Sequence, residues 1–266
     1  MSGQRIFITG GASGLGRSLA LRFARAGWKV CIGDIHEGRG AEVLAELEAL
    51  GAQALSLRCD VRREEDLRAV AERLEADWGG VDVVVNNAGV AQAGAIEDVP
   101  LDDWQWIIDI NLLGVVRGCK VFTPLFKRQG GGHFVNVASI AGLLDAPMMS
   151  SYNATKAAVV SLSETLQNEL HSHGISVSVV CPAFFKTNLV ESMRVTHPRF
   201  QATVGKFFAR AKITSEDVAE DIFTAVKKHS FFVLPHREAR YIWRLKRFLP
   251  REVYAPLMRR STRRMR

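Results

Sequence analysis

Seven short apolar runs punctuate this chain, and stretches of helical periodicity separate most of them. The runs are RIFITG, WKVCIGD, AQALSLRCDV, VDVVVNNAG, GHFVNVAS, GISVSVVCP and FFVLP. They are rich in Val and Ile and show little polar/apolar alternation, which is the pattern of strands buried on both faces. Strands of that kind cannot line a sheet that is wet on one side. Their alternation with helices predicts an α/β fold: a parallel sheet, right-handed crossovers and helices on both faces. The helical stretches read as 15–26, AEVLAELEALG closing at Gly51, EEDLRAVAERLEADWG, a long one over 101–128, 151–170, and SEDVAEDIFTAVKKH. No internal repeat or low-complexity linker divides the chain. Its 266 residues fit one domain, since α/β proteins often run to about 250 residues as one.

Composition excludes several classes. No apolar run approaches the roughly 18 residues of a membrane-crossing helix. RIFITGGASG already reads as a strand and turn, so no signal peptide is expected and the fold begins at once. Cys31, Cys59, Cys119 and Cys181 lie scattered at apolar segments without metal-ligand spacing. They read as small core residues in a reducing compartment, and a cytoplasmic protein without a metal is expected. The net charge of +7 is unevenly placed. Residues 236–266 hold 11 Lys/Arg against 2 Asp/Glu, while the rest holds 24 against 26. A mildly acidic body, 1–235, therefore carries a basic extension, 236–266.

The loop ITGGASGLGR joins the first strand to the first helix, with glycines at Gly10, Gly14 and Gly16. Glycine permits a sharp turn and a close backbone approach to phosphate, and the helix start behind it favours negative charge. Asp34 ends the second strand, 18 residues past Gly16. A carboxylate there can accept from the adenosine ribose hydroxyls of NAD and would repel a 2′-phosphate. As a plain structural residue, Asp34 would instead cap a helix or turn.

Tyr152 and Lys156 stand four apart in SSYNATKAAVVSL, which places them one turn apart on one helical face. Read blandly, this is a chance surface pair. Read as chemistry, a neighbouring cation favours phenolate and lowers the tyrosine pKa toward working pH.

Seven motifs in order now carry a resemblance: TGGASGLG (9–16), DV (60–61), NNAG (86–89), the Asn of DINLLG (111), the Ser of NVASIAG (139), YNATK (152–156) and CPAFFKT (181–187). Over about residues 4–235 the chain resembles the short-chain dehydrogenase/reductase family. The resemblance implies a Rossmann-type doubly wound sheet and an NAD(P)-dependent oxidoreductase. It implies cofactor contacts at Gly10, Ser13, Gly14, Leu15, Gly16 and Asp34. Asp60 and Val61 would meet the adenine through carboxylate and backbone N–H, and Asn87, Ala88 and Gly89 would lie along the cofactor. Pro182, Phe185 and Thr187 would border the nicotinamide. The family's Pro-Gly is Pro182-Ala183 here, and Phe185 replaces a small β-branched residue. NADP-using relatives usually carry Arg or Lys where this chain has Ser13, Ile35 and His36, and only His36 can gain charge, mostly below neutral pH. NAD is therefore the expected cofactor.

The resemblance also implies the chemistry. Tyr152 would be the general base in alcohol oxidation and the acid in carbonyl reduction. Lys156 would tune it and grip the nicotinamide ribose. Ser139 would hydrogen-bond the substrate oxygen, and Asn111 would hold a water linked to the lysine. A substrate lid is implied over about 183–213. Leu144, Met149 and Phe184, with Ser139 and Tyr152, are the expected substrate contacts, pointing to a hydrophobic secondary alcohol or ketone; several of the apolar residues could equally pack on the sheet or on a partner subunit. A homodimer or homotetramer is implied, paired through the Tyr152 helix and the long helix before it. An NAD(H)-binding redox sensor or scaffold is the competing class, but such a protein would be expected to lose Tyr152, Lys156 or Ser139.

In the extension, Arg240, Arg244, Arg247 and Arg251 read as one helical stripe, with Tyr241, Ile242, Leu245, Phe248 and Leu249 opposite. Basic amphipathic helices with aromatics lie at membrane surfaces. Peripheral contact with an anionic membrane, and packing on the body or a second subunit, both remain open. Nucleic acid is the disfavoured partner because the body is acidic.

Overall fold

The structure, a computed structural model, describes residues 4–183, 185, 189, 191–196, 211 and 213–261. Seven parallel strands form the main sheet, from β1 (Arg5–Thr9), β2 (Lys29–Asp34), β3 (Ala54–Arg58), β4 (Val83–Asn86), β6 (Gly132–Val137), β7 (Ile175–Val180) and β9 (Phe232–Val233). Their spatial order is β3-β2-β1-β4-β6-β7-β9. β5 (Gln92–Ala93) and β8 (Arg194–Val195) make a separate two-stranded ladder. All seven apolar runs of the sequence have become strands of the one sheet.

The helices are α1 (Gly14–Arg25), α2 (Glu37–Ala49), α3 (Glu64–Trp78), α4 (Leu101–Ile108), α5 (Gly114–Arg128), α6 (Ser150–Leu170), α7 (Ser215–Lys228), α8 (Arg237–Phe248) and α9 (Arg251–Ser261). They cover both faces. On one, Leu19 and Phe23 of α1, Leu47 of α2 and Ile222 of α7 pack on Ile6, Ile8 and Val85. On the other, Leu74 of α3, Phe122 and Phe126 of α5 and Val159 of α6 pack on Phe7, Val84 and Phe134. Phe23 sits edge-on to both Trp28 and Phe223, at 4.8 and 5.1 Å between centroids.

The long helix expected over 101–128 is interrupted. Residues Asp109–Leu113 form a π-helical turn between α4 and α5. A π-turn inserts an extra residue per turn and so rotates the faces before and after it out of phase. Apolar periodicity does not reveal such a turn, because both flanking helices keep their own stripes.

The chain runs outward from β1 to β3, then returns to β4 on the other side of β1. At this reversal the loops leaving β1 and β4 diverge and open a crevice, the usual ligand position in open α/β sheets. Thr9 sits at that point. Its hydroxyl donates to Val85 O at 3.3 Å and accepts from the backbone N–H groups of Asn87 and Ala88 at 3.0 and 3.1 Å.

His133 is buried in β6, with Nε2 at 2.8 Å from the Ser178 hydroxyl and its ring stacked on His229. Burial first, and then His229, push its pKa from 6.5 down to about 4. Between these values the unfolded chain binds a proton that the folded chain refuses, so this group's contribution to stability is present above pH 6.5 and is lost as pH falls toward 4. The loss approaches about 3 kcal/mol. His133→Gln should flatten the fall in urea-measured stability across this window relative to the unmodified protein. An unchanged slope would remove His133 from the account.

Candidate active site

A cleft of about 860 Å³ opens at the C-terminal ends of β1, β4 and β6. Its first wall is the glycine loop. Gly10 has φ +63°, a conformation that side chains resist. At Gly16 a Cβ would stand 2.1 Å from Gly10 O, so only glycine lets α1 start this close to the loop. Ser13 precedes α1 and makes no side-chain capping bond. The first-turn N–H groups of α1 thus meet the cleft, which Ser13, Gly14 and Leu15 line.

Asp34 forms the next wall. One carboxylate oxygen accepts from Ala12 N at 3.0 Å and the other from His36 N at 3.0 Å. The group is thereby fixed between the end of β2 and the glycine loop. Asn87 spans the crevice floor, its amide donating to Thr9 O and Gly10 O at 2.9 and 3.1 Å. Gly89 leaves room for its neighbours: a Cβ there would lie 3.2 Å from Asn111 Oδ1 and 3.5 Å from Lys156 Nζ.

The far end holds the titratable groups. Tyr152 and Lys156 are both buried on α6, with Lys156 Nζ 5.8 Å from the Tyr152 ring centre. Lys156 Nζ donates to Val137 O at 2.9 Å, which ties α6 to the end of β6. Ser139 lies just past β6; its hydroxyl accepts from Ala141 N at 3.1 Å, donates to Pro182 O at 3.4 Å and interacts with the Tyr152 phenol closely enough to favour phenolate. Burial pushes the Lys156 ammonium down to about 8, opposed by the nearby Cys181. It pushes the Tyr152 phenol up, with the Ser139 hydrogen bond acting the other way. The lysine was expected to draw the phenol pKa down. In this protein desolvation wins, because both groups have left water and each is penalised in its charged form.

Asn111 occupies the π-turn, fully buried. Its Oδ1 accepts from Val90 N at 2.8 Å, and its Nδ2 donates to Val90 O at 2.9 Å and reaches Thr155 Oγ1 at 3.5 Å. The π-turn thus aims an amide inward that a regular helix would place elsewhere.

A model of the short chain dehydrogenase family matches residues 4–197. This protein belongs to the short-chain dehydrogenase/reductase family. Proteins of Mycobacterium bovis and Mycobacterium tuberculosis called probable oxidoreductase EphD are 36% identical over 270 residues, covering 98% of this chain. The chain spans 45% of those relatives' length. Among solved structures, a short-chain dehydrogenase/reductase from Burkholderia phymatum in complex with NAD superposes with a TM-score of 0.87, 33% identity and 92% coverage of both chains. A short-chain dehydrogenase from Sphingobium yanoikuyae in complex with NADPH gives 0.76 and 28%, covering 90% of this chain and 91% of its own.

Members of the short-chain dehydrogenase/reductase family bind a nicotinamide dinucleotide, and the residues present fit one: glycines where side chains would clash, open amides at a helix start, and a fixed carboxylate at the second strand. The cleft brings together Gly10, Ser13, Gly14, Leu15, Asp34, Asp60, Val61, Asn87, Ala88, Gly89, Ser139, Leu144, Met149, Tyr152, Lys156, Pro182 and Phe185. Gly16 and Asn111 stand just behind that lining. Phe184 and Thr187, and most of the lid at 183–213, lie outside the described residues.

The Asp60 carboxylate, expected at the adenine, lines the cleft and is held by Arg62, with Nη2 at 2.6 Å and Nε at 3.0 Å, which keeps its pKa below the usual range. Of Ser13, Ile35 and His36 only His36 can gain charge, and two further cations, Arg39 and Arg62, also line the cleft. Arg39 stands one helical turn past His36, and Arg62 lies two residues past Asp60, so both clusters are legible once the helix start is known. Trp106, Ile110 and Ile242 also line the cleft and were not foreseen. They come from α4, the π-turn and α8, and only the tertiary fold joins these to the Tyr152 helix.

Replacing Asn111 by Ala would strip both hydrogen bonds from the Val90 backbone inside the protein. The expected loss is about 1–3 kcal/mol of stability by urea unfolding. A variant as stable as the parent would mean that water or a neighbour replaces the amide.

Proposed function

We propose that this protein is an NAD-dependent oxidoreductase that interconverts a hydrophobic secondary alcohol and its ketone. The observation that carries the reading is the buried meeting of Ser139, Tyr152 and Lys156 at the deep end of a dinucleotide-shaped cleft. The cofactor, when bound, supplies the hydride acceptor or donor. The chain's own residues supply position and proton. The Ser139 hydroxyl orients the substrate oxygen toward Tyr152 Oη. In oxidation the phenolate takes the hydroxyl proton as the C–H bond breaks; in reduction the phenol gives it back. Lys156 commits one donor to Val137 O and keeps two for the ribose hydroxyls and for stabilising phenolate charge. The raised phenol makes the acid form the resting one. Alcohol oxidation should therefore quicken as pH rises, and ketone reduction should be favoured at lower pH.

Tyr152→Phe should keep cofactor binding and lose turnover by at least about a hundredfold, the usual scale of a positioned acid–base. Lys156→Ala should damage both. A Tyr152→Phe protein retaining most of its turnover on a verified alcohol would defeat the acid–base assignment.

Charge supports NAD over NADP. Asp34 faces the ribose position, and the two arginines at that end are already paired, Arg39 with Glu191 at 3.1 Å and Arg62 with Asp60. A 2′-phosphate would meet a carboxylate and compete for engaged cations. NADH is expected to bind more tightly than NADPH in a fluorescence titration, with Asp34→Ala narrowing the gap. Equal or tighter NADPH binding by the unmodified protein would reverse the preference.

The substrate class rests on the walls. Leu144, Met149, Trp106, Ile110, Met193 and Ile242 give the reacting end an apolar lining. Self-assembly as a homodimer or homotetramer through α5 and α6 belongs to the same reading. On α6, Val159 and Val160 are buried in the chain's own core, and Leu162 and Leu166 pack at its edge with part of their surface still open to a partner.

A further inference from the structure

The extension read as one amphipathic helix is two, α8 and α9, and the first has its inward face already committed. Ala239 is buried, and Trp243 packs on Phe232 with ring centres 5.1 Å apart. Lys246 Nζ donates to Leu143 O at 2.7 Å and to the Asp145 carboxylate at 2.6 Å. Arg240 donates to Leu234 O at 2.7 Å. Ile242 lies on the same side and lines the cleft. The apolar stripe expected from the sequence is therefore split, with Ile242, itself 40% exposed, at the edge of the cleft.

What remains faces outward. Tyr241, Leu245 and Phe248 recur at helical spacing and are 64%, 36% and 82% exposed. Arg244 and Arg247 stand exposed on the same helix. α9 adds exposed Val253 and Leu257, with Arg251 and Arg259 exposed beside them. Leaving such large side chains together in water is unfavourable, and the surrounding charge is one-sided, with 11 basic against 2 acidic residues over 236–266.

We propose that the outer face of α8, continued by α9, docks on an anionic lipid surface. An apolar stripe flanked by arginines suits the boundary between acyl chains and anionic headgroups, where burial and charge act together. The other occupants fit worse. A second copy paired about a two-fold axis would set arginines against arginines. A nucleic acid would satisfy the arginines and leave Leu245 and Phe248 against phosphates. Because Ile242 lines the cleft from the same helix, a docked protein would hold its cleft wall beside the bilayer, ready for a membrane-dissolved alcohol or ketone. That consequence rests on the oxidoreductase reading; the docking itself does not.

The test is sedimentation of the full chain with vesicles of equal parts phosphatidylcholine and phosphatidylglycerol, beside vesicles of phosphatidylcholine alone. Binding is expected to the anionic vesicles only, and to weaken as salt is added. Replacing Tyr241, Leu245 and Phe248 together by Ser should lower it by about tenfold or more, and Arg244→Gln with Arg247→Gln by about tenfold. These side chains lie outside the cleft, so NADH titration should be unchanged and serves as the check on folding. Failure to bind anionic vesicles at low salt would overturn the proposal, as would binding indifferent to the serine variant. If the serine variant instead lowers the mass by light scattering and the parent ignores vesicles, the face belongs to a second copy. Vesicle binding by a protein inert to NADH would leave the docking standing and remove the oxidoreductase reading.

Discussion

The hydroxyl of Thr9 holds the point on which the site depends. It joins the ends of β1 and β4 where the strand order reverses, and it takes the N–H groups of Asn87 and Ala88, which have already left the ladder. Asn87 repays the contact by donating to Thr9 O and Gly10 O. The two diverging loops are thereby pinned to one another at their roots. One becomes the glycine cradle and the other the floor leading to Tyr152 and Lys156. Without this knot Ala88 N would lose its acceptor and Asn87 N would keep only Val85 O at 3.1 Å.

Desolvation governs the Tyr152–Lys156 end of the cleft. Tyr152 and Lys156 sit on α6, which a buried polar chain fixes to the sheet: Asn86 Nδ2 donates to Asn136 Oδ1 at 2.8 Å, and Asn136 Nδ2 to Ser163 Oγ at 3.0 Å. Amides are costly in a core unless paired, and these pair across β4, β6 and α6. The rigid mount keeps phenol, ammonium and Ser139 hydroxyl together out of water. Burial then raises the phenol pKa and lowers the ammonium pKa, so two proton affinities that are nearly equal in solution are driven apart.

The extension ties a cleft wall and an outer surface into one helix. His236 Nδ1 accepts from Ala183 N at 3.1 Å, so the strand end that precedes α8 also braces the loop beginning Pro182-Ala183. Lys246 braces the loop before α6 from the other side. The Lys246–Asp145 pair is solvent-facing at the carboxylate and adds little by itself. The backbone contact to Leu143 and the packing of Trp243 on Phe232 carry the attachment.

Much of this was written in the linear pattern. Continuous Val/Ile runs fix buried parallel strands because alternation is absent, and the Gly10–Gly16 spacing fixes a phosphate-sized turn because no side chain fits there. The four-residue step from Tyr152 to Lys156 fixes one shared face because a helix turns every 3.6 residues. Other features needed the assembled fold. The π-turn that buries Asn111 leaves no trace in apolar periodicity, since each flanking helix keeps its own stripe. The engagement of Asp60 by Arg62 depends on the local turn, and the direction of the Tyr152 pKa depends on how much water packing removes. The placement of Ile242 at the cleft edge, apart from Tyr241 and Leu245, was decided last. A helical stripe states which residues share a side, but only the surface it meets, here Phe232 and Leu143, determines which side is spent and which stays exposed.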